Sequence, residues 1–191
     1  MATLTEPRIS PEALLNIMDR PMPELVDGQL VEREMSQESD MVGGRILRIL
    51  GNFLDEHPLG YLNVAQGSYQ IFPDDPDRVR IPEVSFTRRD RFAPSGPSRG
   101  HARVAPDLVV EVISPNDLVV QLKAKIEEYR SAGVPLLWIV DPDSRTVDVL
   151  GGDRTAITLR SDDWIDGGAV LPGFRCQVKS FFKDLIDFEG A

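Results

Sequence analysis

Hydrophobic positions along the chain switch repeatedly between the two periods that separate helices from strands. Ser10-Pro11-Glu12 opens a short helix, with serine placed to cap it and proline in the first turn, where its missing N–H costs nothing; Leu14, Leu15 and Met18 give the apolar face. Glu24 to Glu32 reads as two short strands about Asp27-Gly28, a dipeptide suited to the positive φ angles of a type I′ hairpin turn. From about Ser39 to Glu56, Val42, Ile46, Leu47, Ile49, Leu50, Phe53 and Leu54 recur at helical spacing, with Pro58 and Gly60 just past the end. Tyr61 to Phe72 alternates as one strand, Pro73 to Asp77 is a turn, and a second strand runs from about Val79 to Thr87.

Residues 88 to 103 follow as a long Pro/Gly/Ser loop. Leu108 to Ile113 is a continuous apolar run short enough to be a strand buried on both faces, residues 117 to 131 are helical, and Gly133 to Val140 is another buried strand. Asp141-Pro-Asp-Ser turns the chain into Thr146 to Leu150, and an amphipathic stretch from Ser180 to Phe188 ends it. Strand, helix, strand in the middle of such a series predicts a crossover in a mixed sheet flanked by helices, an α/β (α+β) domain. At 191 residues the expectation is a single domain, 1–191, with its core at about 20–150.

The strand pattern also locates chemistry. Side chains alternate faces, so Asp107, Val109, Glu111 and Ile113 point one way. Glu111 interrupts an apolar run, and an unpaired buried carboxylate there would cost several kcal/mol at least, so it needs a cation, either an arginine or lysine partner or a metal ion. Ile81-Pro82-Glu83-Val84 repeats the order apolar, proline, acid, apolar at the preceding strand; if the two strands are neighbours, Glu83 meets Glu111 and Asp107. Converging carboxylates suit a hard cation such as Mg²⁺; two independently solvated strand ends are the alternative. In the next helix, Leu118, Leu122, Ile126 and Tyr129 share a face, and Lys125 lies roughly 55° from its centre. Its long stem can bring an ammonium back to the carboxylates, as a salt bridge or as a group that orients water and stabilises charge.

Charge then qualifies the picture. Twenty-one Lys and Arg against 31 Asp and Glu give a net of −10, which argues against a general nucleic-acid binder. The positive charge is segregated, however: Arg88, Arg89, Arg91, Arg99 and Arg103 face only Asp90 in the long loop, a net of +4 that leaves −14 on the remainder. Such a loop is either a phosphate-binding element or a solvated connection or interface with an acidic neighbour. His57 suits the end of its helix, two distant histidines make a histidine metal site unexpected, and a lone Cys176 excludes an internal disulfide. No run of about 20 apolar residues suggests a membrane span, and the amino terminus lacks the pattern of a secretory signal, so a cytoplasmic location is expected.

Pro23 to Val31, Ile81-Pro-Glu-Val-Ser85, Ala105 to Pro115, Lys125-Ile-Glu-Glu-Tyr129 and Ala132 to Pro142 together resemble the Uma family of restriction endonucleases, within the PD-(D/E)XK nuclease superfamily. The resemblance implies a mixed central sheet flanked by helices and a Mg²⁺-dependent endodeoxyribonuclease, Mn²⁺ being a substitute. It implies that Glu83 and Glu111 bind the metal, with Asp107 an additional nearby acid, and that Lys125 is the strand lysine moved onto the following helix. Glu24 matches the family's acid before its hairpin. DNA is the implied partner, cut to leave a 5′-phosphate and a 3′-hydroxyl, and a homodimer is expected from the need to cut two strands. The chain departs from the family pattern twice: Pro82-Glu83 stands where Pro-Asp is usual, and residues 35 to 50 hold no histidine near the start of the long helix. These departures suit a competing expectation, a non-catalytic oligomeric or regulatory module that keeps the nuclease scaffold.

Overall fold

The computed structural model describes residues 8–17, 21–33, 36–115 and 117–185. At its centre lies a six-stranded mixed sheet in the order β3-β4-β5-β6-β7-β8: Gly60–Val64, Val84–Arg88, Leu108–Val112, Leu136–Asp141, Thr146–Gly151 and Ala156–Leu159. Only β5 and β6 run parallel, and helix α3, Val119–Ser131, makes the crossover between them. Every other neighbouring pair is antiparallel. This is the mixed α+β architecture expected from the sequence.

Two faces of the sheet bury different material. On one, Val84, Phe86, Val110, Val112, Trp138 and Val140 pack against α2, Gln37–Glu56, whose Val42, Ile46, Leu50 and Leu54 form its buried stripe. The same core takes in Ile165, Leu171, Phe174 and Val178 from an antiparallel hairpin, β9 and β10 (Trp164–Gly167 and Leu171–Gln177), and the turn that follows. The apolar core therefore extends well beyond residue 150. On the opposite face Val109 and Leu137 meet Phe72, Val134 and Tyr129 of α3.

Near the amino terminus, α1 (Pro11–Leu14) is capped by Ser10, whose side chain accepts from the Ala13 N–H. The hairpin β1–β2, Glu24–Val26 and Gln29–Val31, turns through Asp27 and Gly28, both at positive φ as the dipeptide predicts. α2 begins with a reciprocal cap in which Ser36 and Ser39 each bind the other's backbone N–H.

Four expectations shift. The strand expected over Tyr61 to Phe72 stops at Val64, because Ala65 to Gly67 turn the chain and Tyr69 makes only isolated bridges, with Arg80 and Ala102. The strand expected from Val79 begins at Val84: Val79 is instead hydrogen-bonded both ways to Leu25, and Pro82 has no N–H to give a ladder. In α3 only Tyr129 is buried, while Leu118 caps the helix and is exposed. The terminal stretch forms a 3₁₀ turn over Val178–Phe181 and its last residues, 186–188, lie outside the described ones. Among the described residues no helix is long and apolar enough to cross a membrane.

Candidate acidic active site

The ladder between β4 and β5 decides where the acids fall. Val84 pairs with Val110 and Ser85 with Val109, which sets Glu83, one residue before β4, and Glu111, one residue after Val110 in β5, at the same end of the strand pair. The two-way bridge between Leu25 and Val79 then brings β1 to the same end of the sheet, and the Ile81 N–H donates to Glu24 Oε1 at 2.8 Å. From the other side α3 delivers Lys125, whose Nζ lies 3.0 Å from Glu111 and 3.0 Å from Glu24. Four of the five residues read from the sequence as catalytic, Glu24, Glu83, Glu111 and Lys125, therefore line one cavity of about 340 Å³.

Asp107 does not join them. It directly precedes β5 and stands four residues from Glu111, about 13 Å at the rise of a strand, and its carboxylate accepts from the Arg88 N–H at 2.9 Å and from Arg91 Nη1 at 3.0 Å. The basic segment is displaced in the same way. Arg88 ends β4 about 17 Å along the strand from Glu83, so Arg88, Arg89 and Arg91 lie at the opposite edge from the cavity, not beside it. Arg89 stacks over the Tyr61 ring, and Arg99 and Arg103 are exposed. His101 is a buried pin: its Nε2 faces the Pro11 carbonyl at 2.7 Å, which only an N–H can satisfy, leaving Nδ1 to accept from Ser68 Oγ at 2.8 Å when the ring is neutral.

The cavity contains cations that sequence reasoning missed. Arg33, two residues after β2, donates from Nη2 to Glu83 Oε1 at 2.6 Å and from Nη1 to the Ala65 carbonyl. Arg80 donates from Nη1 to Glu24 Oε2 at 2.8 Å and grips Glu128 with Nε and Nη2. Tyr129, one helical turn after Lys125, donates its hydroxyl to Glu111 Oε1 at 3.0 Å. Spacing carried a usable signal for Tyr129, since i and i+4 share a helix face; for Arg33 and Arg80 the partners are 50 and 56 residues away and no local pattern marks them.

Ionisation follows from these contacts. Burial pushes Glu111 up, and Glu24 and Glu83 add repulsion that Lys125 only partly offsets. Burial likewise raises Glu83 against the pull of Arg33 and Lys125. Glu24 is equally enclosed, but Lys125, Arg80 and the Ile81 N–H overcome burial and hold it at about 2. Lys125 is raised, its own burial outweighed by Glu111 and Glu24, so it stays an ammonium. Burial alone pushes the Cys176 thiol up to about 12, which removes it from nucleophilic chemistry at neutral pH.

The donor set bears on a metal ion. Among the described residues no three His, Cys, Asp or Glu side chains converge as a ready-made cage. Glu83 and Glu111 nevertheless present hard oxygens toward the cavity, and these carboxylates retain accepting capacity beyond Arg33 on Glu83 and Lys125 and Tyr129 on Glu111. Two carboxylates opening on a solvent-sized cavity fit Mg²⁺, which keeps several waters, better than Ca²⁺, which takes 6 to 8 ligands.

Comparison with known proteins adds a lineage. A family model, Uma2, described as "Putative restriction endonuclease", matches residues 12–179. A crystal structure described as a putative nuclease belonging to DUF820, from Anabaena variabilis, superposes with a TM-score of 0.78 over 92% of this chain and 98% of that one, at 17% identity. No curated protein matches the chain.

Proposed function

This chain belongs to the Uma2 family, and from that premise we propose that its acidic cavity hydrolyses DNA phosphodiester bonds with a divalent cation, Mg²⁺ or Mn²⁺. The observation that carries the reading is the convergence of Glu24, Glu83 and Glu111 on one cavity, with Lys125 between Glu111 and Glu24. Glu83 and Glu111 would hold the ion. The chemistry supplied by such an ion when bound is polarisation of a phosphoryl oxygen and acidification of the attacking water.

The chain's own groups do the remainder. Lys125, protonated, donates hydrogen bonds and is suited to orienting the water, not to accepting its proton. Tyr129 fixes one oxygen of Glu111, and Arg80 with the Ile81 N–H fixes Glu24, which in turn aims the lysine. Precise placement of this kind accounts for a large share of catalysis in phosphoryl transfer. Cutting both strands of a duplex needs two such cavities, so the proposed working unit is a homodimer.

One observation favours a second reading, a scaffold without catalysis: Glu24, Glu83 and Glu111 each already have a basic partner. Nicking of supercoiled plasmid in Mg²⁺ or Mn²⁺ separates the two. The expected result is cutting that EDTA abolishes and that Glu111→Ala and Lys125→Ala each lower by at least about a hundredfold. A purified chain that never cuts, or variants that cut like the parent, would assign the cavity to the scaffold.

A further inference from the structure

Four basic side chains line the cavity, and they are not equally committed. Arg80 spends three hydrogen bonds on Glu24 and Glu128, Lys125 bridges Glu24 and Glu111, and Arg78 is held by Asp27, Asp75 and Glu128. Arg33 differs. Among the described residues its single anionic partner is Glu83 and its only other hydrogen bond goes to the Ala65 carbonyl, which uses two of its five N–H donors. Its partner is also the carboxylate that a divalent cation would need. Resting on the reading of the cavity as a metal-dependent nuclease site, we propose that Arg33 is a stand-in cation for Glu83 that a bound divalent ion displaces, and that the freed guanidinium then binds a phosphate of the DNA.

Charge argues for the exchange. With the ion absent, Glu83 and Glu111 repel each other, and Arg33 is the cation in direct contact with Glu83. An arriving divalent ion repels the guanidinium and competes for the same oxygen, while Nη1 on Ala65 keeps the side chain at the cavity wall. There the planar fork of an arginine matches a phosphodiester bidentately, as the point charge of Lys125 does not. Arg33 would be a substrate-positioning residue that also sets metal affinity.

The experiment measures two bindings and no turnover. Mn²⁺ is titrated into the full chain without DNA and followed by the EPR signal of free Mn²⁺. A short labelled duplex is then titrated in Ca²⁺ at several salt concentrations. Arg33→Met is expected to bind Mn²⁺ about tenfold more tightly and DNA about tenfold more weakly, with the salt slope reduced by about 1. Arg33→Gln, which keeps a donor for Ala65 and loses only the charge, should give the same pair of shifts and serves if methionine at this buried position unfolds the chain. Arg33→Lys should restore the salt slope. Neutral variants that bind Mn²⁺ no more tightly than the parent, or that keep its salt slope, overturn the proposal alone. A parent that binds no Mn²⁺, with Glu111→Ala indistinguishable from it, overturns the nuclease reading and this proposal together.

Discussion

Glu24 and Glu111 are both buried and both touch Lys125, yet their ionisation runs in opposite directions. The difference lies in the second partner. Glu24 also receives Arg80 and a backbone N–H, while Glu111 receives only the neutral Tyr129 hydroxyl and faces two other acids. The consequence is a stability curve with two limbs. Glu24, depressed to about 2 from 4.5, stabilises the fold fully above pH 4.5, and that contribution, on the order of 3 kcal/mol, is lost as pH falls from 4.5 through 2. Glu111 and Glu83, raised, work the other way: their cost is present above their folded pKa values and is relieved as pH falls toward 4.5. Urea unfolding at a series of pH values should therefore show stability falling steeply below pH 4.5 in the parent. In Glu24→Gln the chain should be weaker by a few kcal/mol at pH 7 and lack that contribution to the acid limb. An acid limb as steep as the parent's in Glu24→Gln would show that the Lys125–Glu24–Arg80 chain is not its source.

At the level of elements, much was legible because much was local. The hairpin turn, the caps, the apolar stripe of α2 and the buried run of β5 all depend on neighbours within a few residues, and sequence periodicity reads those directly. The segments misread as continuous strands, 61–72 and 79–87, are alternating in pattern but shared between partners. Val79 and Arg80 pair with Leu25 and Tyr69, and Val84 onward with the sheet. Alternation tells which face a side chain takes; it does not tell which strand lies alongside. The same limit explains the site. Glu83 and Glu111 at one cavity followed from adjacent strands, whereas Arg33 reaches Glu83, and Arg80 reaches Glu24, through the docking of the β1–β2 hairpin, a long-range event. Glycines make this division testable. At Gly60, the start of β3, a Cβ would run into the Thr87 carbonyl, with Phe86 Cε2 at 2.7 Å and Arg88 Cα at 2.8 Å, so two strands cannot close over it. Gly44 in α2 has nothing within 4 Å. Thermal denaturation should show Gly60→Ala lowering stability by about 2 kcal/mol and Gly44→Ala raising it by about 0.5–1 kcal/mol. The reverse order would mean that the β3–β4 register gives way more easily than the ladder implies.

For the whole molecule the proposed function raises the question of how a chain of net charge −10 would meet a polyanion. Its positive charge is concentrated in the 88–103 segment, and the structure sets Arg88, Arg89 and Arg91 at the far end of β4 from Glu83. Separation along one strand need not divorce the two. The distance of about 17 Å corresponds to roughly five base pairs of B-form duplex at 3.4 Å each, so a single helix laid along β4 spans both the acidic cavity and the basic edge. Arg88 and Arg91 are partly tied to Asp107, but Arg88 is 44% exposed and Arg89 lies on Tyr61 at the edge strand, an arrangement that offers a guanidinium and an aromatic face together. If this edge grips the backbone, replacing Arg88, Arg89 and Arg91 with alanine should weaken duplex binding and reduce the salt slope by as much as about 3, while Mn²⁺ affinity in the cavity stays at the parent value. Anisotropy titrations over a range of salt, beside a Mn²⁺ titration of the same protein, decide it. An unchanged slope would confine DNA contact to the cavity and leave the basic edge as a solvated connection. A changed Mn²⁺ affinity would mean instead that the field of the edge reaches the carboxylates across the sheet.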